Sequence, residues 1–420
     1  MNVGIVTTWF ERGAAYVSKA YMQTLSSQHN VFIYARGGEE AGTGDPNWDL
    51  PCVTWAPRFQ GLAKGSHNAI SLTHLWKWLR ERAIDVVIVN EQHTVEIIRE
   101  IAALGYKVGA YVDYYTKKTV PDFDTYDFLL CNTKRHYSVF RNHRRAFFIQ
   151  WGTDVNLFKP SLFYPERNRS DTIVFFHSSG WEGKRLRKGT DLLVKAFQEV
   201  KGKARLIIHS QVPLEDYGDI VNMIRKDTRI EFIWKTVPAP GLYHMGDVFV
   251  YPSKLEGIGL CIPEALACGL PVITTDNAPM NEFIEDGYNG LLVCVARTQQ
   301  RKDKYYWPET YVDIGDLAAK MQFYVDHPEV ITKHQKNARR SVEEKFDWAK
   351  NSRHLVSDLN EMLGLKKVRE PYVTERLRWY GQYMFLLWQK YVFIIADMIL
   401  PRRVAHFLNT PFRWLRKRNL

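Results

Sequence analysis

Short apolar runs, most of them unbroken and rich in Val, Ile and Phe, set the strongest limit on what this chain can become. One series comprises Val3–Phe10, Val31–Arg36, Val86–Asn90, Val108–Tyr115, Phe128–Thr133 and Phe147–Trp151. A second comprises Thr172–Ser178, Ala204–Ser210, Ile230–Trp234, Val248–Tyr251, Pro271–Thr275 and Gly290–Val295. A strand with one wet face alternates polar and apolar residues. An unbroken run needs cover on both faces, as in a parallel sheet between helical layers. The intervening segments, such as Ala15–Gln28 and Thr190–Val200, carry helical spacing, so the fold class is α/β. Two prolines and a polar cluster between 156 and 170 read as a linker. We therefore expect two doubly wound domains, over 1–155 and 170–345. Ligands in such sheets bind beyond the carboxyl ends of the strands, so the cleft between the domains is the expected site.

Length and composition narrow the classes further. A chain of 420 residues is long enough for two domains. Cys52, Cys131, Cys261, Cys268 and Cys294 are scattered and form no CxxC pair, which argues against a disulfide framework or structural zinc and fits a reducing compartment. The opening Met1-Asn2-Val3-Gly4-Ile5-Val6 has no basic segment before its apolar stretch and reads as a strand, not a signal peptide. The net charge of +11 is uneven: residues 365–420 carry +9 and residues 1–364 only +2. A near-neutral body with a basic tail is not a nucleic-acid surface.

Most of the chemistry lies between Val248 and Ile273. A strand runs into Pro252-Ser253-Lys254-Leu255-Glu256-Gly257-Ile258-Gly259-Leu260, then a short helix beginning near Pro263, then a second strand after Gly269. Gly257 and Gly259 let the backbone approach a ligand closely, and the N–H groups that follow can hold a diphosphate. Glu256 is placed to accept hydrogen bonds from sugar hydroxyls and Glu264 from a ribose diol. Another strand ends in Gly180-Trp181-Glu182-Gly183-Lys184-Arg185-Leu186-Arg187-Lys188-Gly189-Thr190, just before a helix. Lysines at a helix start are electrostatically misplaced unless they meet an anion.

Glu256 and Glu264 fall on the two glutamates of an E-x7-E signature, and the stretch resembles retaining GT-B glycosyltransferases, in particular glycosyltransferase family 4. The likeness continues through Met280–Val293, and Trp151–Phe158 resembles that family's domain junction. It implies a GT-B fold with two Rossmann-like domains facing a cleft, the first completed by a crossover helix near 346–364. It also implies a nucleotide-diphosphate sugar as donor, a retained anomeric configuration and no obligatory metal or other cofactor. Asp122-Phe123-Asp124 is read as loop chemistry, not a metal motif.

Residue by residue, the resemblance places Lys188 on the lysine of the phosphate loop. The family's arginine is replaced by Trp181 and Glu182, leaving Lys184, Arg185 or Arg187 to take its part. Gly13 is the glycine that remains of the first strand–loop–helix turn. Backbone around Gly257, Ile258, Gly259 and Leu260 completes the donor site. On the acceptor side, His93 or Asp113 would orient or deprotonate a hydroxyl. Residues 365–420 lie beyond the family's body. Polar Gln382, Gln389, Lys390 and Asp397 interrupt an otherwise apolar, aromatic run, and Arg402, Arg403 and the basic residues from Arg413 to Arg418 follow it. That pattern suits an amphipathic helix on an anionic membrane surface more than a span, with homodimerisation as an alternative. The combined expectation is a cytoplasmic transferase, peripheral on the inner face of the membrane, acting on a lipid-linked glycan or glycolipid. A non-catalytic nucleotide-sugar-binding scaffold and a nucleotide-sugar epimerase are the competing readings.

Overall fold

The computed structural model describes residues 1–36, 42–57, 70–90, 95–160 and 172–364, without the side chains of Lys184 and 362–364. The chain divides into two compact units, Met1–Val95 with Tyr106–Leu365, and Glu96–Gly105 with Lys366–Leu420. Of the second unit only Glu96–Gly105 is described, and it carries most of the helix Val95–Ala103.

In the first unit the N-terminal half builds a seven-stranded sheet. Its strands are β1 (Asn2–Thr7), β2 (Asn30–Ala35), β3 (Val53–Trp55), β4 (Val86–Asn90), β5 (Lys107–Tyr111), β6 (Phe128–Cys131) and β7 (Ala146–Phe148). They pair in parallel in the order β3-β2-β1-β4-β5-β6-β7. The C-terminal half builds a six-stranded sheet from β8 (Ile173–Gly180), β9 (Ala204–Ser210), β10 (Ile230–Trp234), β11 (Val248–Tyr251), β12 (Val272–Thr275) and β13 (Gly290–Val293). Its order is β10-β9-β8-β11-β12-β13, again parallel. Val86, Val87 and Ile88 in one central strand and Val248, Phe249 and Val250 in the other are fully buried, because both sheet faces are covered. Strand order reverses beside β1 and beside β8, which places a binding crevice beyond the carboxyl end of each sheet. The architecture is GT-B, as the motif resemblance implied.

Two features go beyond the expected strands. β3 is only three residues long and half-buried, too short and too polar in its flanks to stand out as a run. After β13 the chain makes a separate antiparallel pair, β14 (Val295–Gln299) and β15 (Glu309–Val312), whose outer strand is mostly exposed.

At the junction, Gly152 sits where a Cβ would lie 2.3 Å from the carbonyl oxygen of Phe346, so only glycine fits there. Thr153 N–H donates to that carbonyl at 2.8 Å, and Trp348 N–H donates back to Thr153 at 3.0 Å. The Trp348 indole then reaches the first helix, Gly13–Leu25, donating to Thr24 at 3.0 Å and packing on Tyr21 and Trp151. Arg339 fastens the junction from the helix Pro328–Lys345, donating to the carbonyls of Val155, Phe158 and Ala267. No helix among the described residues is long and apolar enough to cross a membrane. His93, most of the expected linker and the whole of 365–420 lie outside the described residues.

Candidate active site

The loop after β8 and the loop after β11 are laced together by backbone. Lys254 N–H donates to the carbonyl of Arg187 at 2.8 Å, and Ser253 Oγ lies 3.2 Å from the same oxygen. Leu186 (φ 47°) and Gly189 (φ 76°) turn the first loop back on itself, and at Gly189 a Cβ would lie 2.0 Å from the Pro252 carbonyl oxygen. This contact explains why glycine follows Lys188. With the loops in register, Lys188 Nζ sits 2.8 Å from Glu256 Oε1 and Arg187 Nη1 sits 3.2 Å from Oε2. Tyr251 OH donates to Oε1 at 2.9 Å and Ser253 Oγ at 2.5 Å. Burial alone would push the Glu256 carboxyl up. The charges of Arg187 and Lys188, with hydrogen bonds from Lys188 and Ser253, hold it instead at about 2. The site therefore presents two cations steered by one fixed anion.

Among the expected cations Arg187 meets Glu256, and the side chain of Lys184 lies outside the described residues. Arg185 is exposed in the turn Gly183–Arg185, which also carries Lys184. Glu182 turns inward. Its two oxygens accept from the Lys188 N–H and from Thr190 Oγ1, and burial pushes its carboxyl up to about 7 against those hydrogen bonds. Thr190 also faces Nε2 of His177 at 2.9 Å, and the buried His177 uses Nδ1 on the Val250 carbonyl at 2.8 Å. Burial lowers His177 to about 4, so its ring is neutral. Sequence reasoning missed both polar partners, although a histidine inside an apolar strand and an acid beside a cluster of basic residues were the available signals.

Glu264 lies in the helix Cys261–Ala267, with Tyr243 OH donating to its Oε2 at 2.6 Å. Burial lifts its carboxyl to about 7, opposed by that hydrogen bond and by the charge of Lys188. Between the two glutamates, Gly259 takes φ 87°, and the N–H groups of Ile258, Gly259 and Leu260 meet no acceptor among the described residues. Such a run of unspent donors is a nest for an anion. Gly13, at the start of the first helix, faces this loop: a Cβ there would touch Leu260 Cδ1 at 3.5 Å. Asp113, after β5, faces it too, its Oδ1 lying 2.7 Å from where a Cβ on Gly257 would sit. The structure thus brings together Gly13, Asp113, Arg187, Lys188, Glu256, Gly257, Ile258, Gly259, Leu260 and Glu264. Asp122-Phe123-Asp124 lies in the separate 3-10 turn Val120–Thr125.

A second omission is the segment between β14 and β15. Tyr305 OH donates to the Asp113 carbonyl at 3.0 Å, Tyr306 N–H to the Tyr115 carbonyl at 2.9 Å, and Trp307 Nε1 to Tyr115 OH at 2.7 Å. Arg135 lies over the Trp307 ring, 4.4 Å from its centroid. Nothing in its polar flanks advertised a strap from one domain onto the other.

Residues 172–304 match the family model described as "Glycosyl transferases group 1". The match takes in β8 to β14, with Arg187, Lys188, Glu256 and Glu264. An uncharacterized glycosyltransferase of Methanocaldococcus jannaschii is 30% identical over 122 residues, 28% of this chain and 34% of that protein. The lipopolysaccharide core biosynthesis mannosyltransferase LpcC of Rhizobium leguminosarum bv. viciae is 26% identical over 227 residues, 51% of this chain and 60% of its own. The chain thus spans between a third and three fifths of these curated relatives. Among solved structures, HepE of Anabaena in complex with UDP and glucose superposes with a TM-score of 0.65 at 16% identity, covering 86% of this chain and 100% of that one. At that identity the likeness is one of fold.

Proposed function

We propose that this chain is a retaining glycosyltransferase of the family 4 kind, moving a sugar from a nucleotide-diphosphate sugar to a membrane-borne glycan or glycolipid. The observation that carries this is the pair Arg187 and Lys188, held at 3.2 and 2.8 Å by an ionised, buried Glu256. Two fixed cations in a partly dry cleft suit the charge that develops on a leaving diphosphate. The N–H groups of Ile258, Gly259 and Leu260 take further phosphate oxygens, with Gly13 leaving room on the opposite wall. Glu264 keeps one oxygen on Tyr243 and offers the other to a ribose hydroxyl.

In the reaction the bond from the anomeric carbon to the diphosphate oxygen breaks. The acceptor oxygen bonds to that carbon on the same face, and its proton passes to the departing diphosphate. Asp113 orients the acceptor hydroxyl. The match of 172–304 and the likeness to a lipopolysaccharide core mannosyltransferase support a glycan-building role. The basic, aromatic tail 365–420 supports an acceptor at the cytoplasmic membrane surface.

Thermal unfolding with UDP-, GDP-, ADP- and dTDP-sugars tests the donor site, because a ligand that binds only the folded state raises the midpoint. One nucleotide sugar should raise it, and Arg187→Met should abolish the shift. A wild-type protein that responds to none of them would sink the proposal.

A further inference from the structure

The donor loop is held from the first domain by a hydrogen-bond chain with a defined direction. His136 lies in the helix Lys134–Phe140, whose cap residue Thr133 accepts from the His136 N–H at 3.1 Å. Glu282 of the second domain accepts from the N–H groups of Lys134 and Arg135 at 2.7 and 2.9 Å, so this helix start is clamped by both domains. The His136 ring is fully buried. Its Nε2 lies 2.9 Å from the Gly257 carbonyl oxygen and its Nδ1 lies 2.9 Å from Tyr115 OH. A carbonyl only accepts, so Nε2 carries the proton and donates. Burial lowers the ring to about 4, so it is neutral and Nδ1 must accept. Tyr115 OH then donates to Nδ1, and the Trp307 indole, which only donates, supplies Tyr115 oxygen at 2.7 Å. The order is Trp307 to Tyr115 to His136 to Gly257, with every donor and acceptor role fixed.

The last link bears on the donor. The Gly257 carbonyl and the Ile258 N–H belong to one planar trans peptide and point in opposite directions. Gly257 is flexible backbone that no Cβ restrains. We propose that His136 is a positioning residue for nucleotide-sugar binding: by holding the Gly257 carbonyl toward the first domain, it turns the Ile258 N–H toward the donor diphosphate, and Tyr115 and Trp307 set the tautomer that lets it do so. This rests on the donor-site reading above. It adds a first-domain residue and the strap Tyr305–Trp307 to the machinery of a second-domain site.

Two near-isosteric variants separate positioning from packing. In His136→Gln the amide nitrogen replaces Nε2 and can still donate to Gly257. In His136→Asn the shorter amide reaches only the Tyr115 end. Calorimetric titration with UDP-, GDP-, ADP- and dTDP-sugars should give about tenfold weaker binding for Asn, the loss of one oriented hydrogen bond, with Gln recovering most of that loss. Tyr115→Phe, which leaves Nδ1 without its donor and frees the other tautomer, should weaken binding severalfold. Unfolding of the free proteins reads the stability cost separately, and donor affinity is compared at a temperature where every variant is fully folded. Equal donor affinity for the Gln and Asn variants, with a wild type that binds, overturns the positioning role alone. A wild type that binds none of the four overturns the donor site and this inference with it.

Discussion

Replacing Glu182 by glutamine should make the protein more stable, and increasingly so as the pH rises. Glu182 is 7% exposed, accepts from the Lys188 N–H and from Thr190, and has a carboxyl lifted from about 4.5 to about 7. A carboxyl raised in the folded state binds its proton more tightly there than in the unfolded chain. Its favourable contribution is complete below the ordinary pKa and is lost as pH rises through about 7. Integrating that difference gives a cost of less than about 1 kcal/mol at pH 5 and about 3 kcal/mol at pH 8. Glutamine has the shape of the protonated acid. Its oxygen can accept from Lys188 and its nitrogen can donate to Thr190, which then donates to Nε2 of His177 and leaves that chain fully satisfied. Urea unfolding of both proteins at the two pH values measures the gap, since His136, His177 and Glu264 titrate alike in both and cancel. An advantage for glutamine near 3 kcal/mol at pH 8 that shrinks below 1 kcal/mol at pH 5 is expected. A variant no more stable than wild type at pH 8, or one with the same advantage at both, would refute the reasoning.

Glu256→Gln should act in the opposite sense. Its carboxyl is held at about 2, so its stabilisation is full above about 4.5; the variant should lose about 3 kcal/mol at pH 7 and about half that at pH 3, read by the same unfolding assay. Gly189→Ala should cost more than ~2 kcal/mol, because the new Cβ meets the Pro252 carbonyl at 2.0 Å, whereas Gly44→Ala, with similar φ and nothing within 4 Å, should cost about 1 kcal/mol; equal losses would contradict this packing account. Lys188→Met should lower transfer by at least about a hundredfold, by analogy with loss of one charge-stabilising donor, in a single-turnover assay with whichever donor binds. Removal of 365–420 should abolish sedimentation with anionic vesicles, and unchanged sedimentation would rule out the tail as the membrane contact.

The parallel strands were legible because burial on both faces writes itself as apolar runs: Ala204–Ser210, Ile230–Trp234 and Val248–Tyr251 have the same ends in the sequence reading and in the sheet. Lys188 and Glu256 were legible through their motif. Which cation joined them was not, since that depends on left-handed backbone at Leu186 and Gly189, and loop conformation leaves little trace in composition. His136 was invisible for a different reason. Its partner Gly257 is 121 positions away, and no local spacing encodes a contact of that range. From a polar segment between β14 and β15 that has no apolar run to mark it, Trp307 and Tyr305 reach partners 192 positions away.

That separation also sets an order of events during synthesis. Both sheets rest largely on contacts between neighbouring elements, so the first can form while the second is still being made. The Tyr305–Trp307 clasp cannot close until β5, β14 and β15 are all in place, and each of its bonds carries the loop-closure cost of nearly half the chain. It closes only after the first sheet is complete, and the contact of Trp348 with Thr24, made from further along the chain, closes later still. Because His136 receives its tautomer through that clasp, the Gly257 carbonyl is held toward the first domain only once β5, β14 and β15 are all in place.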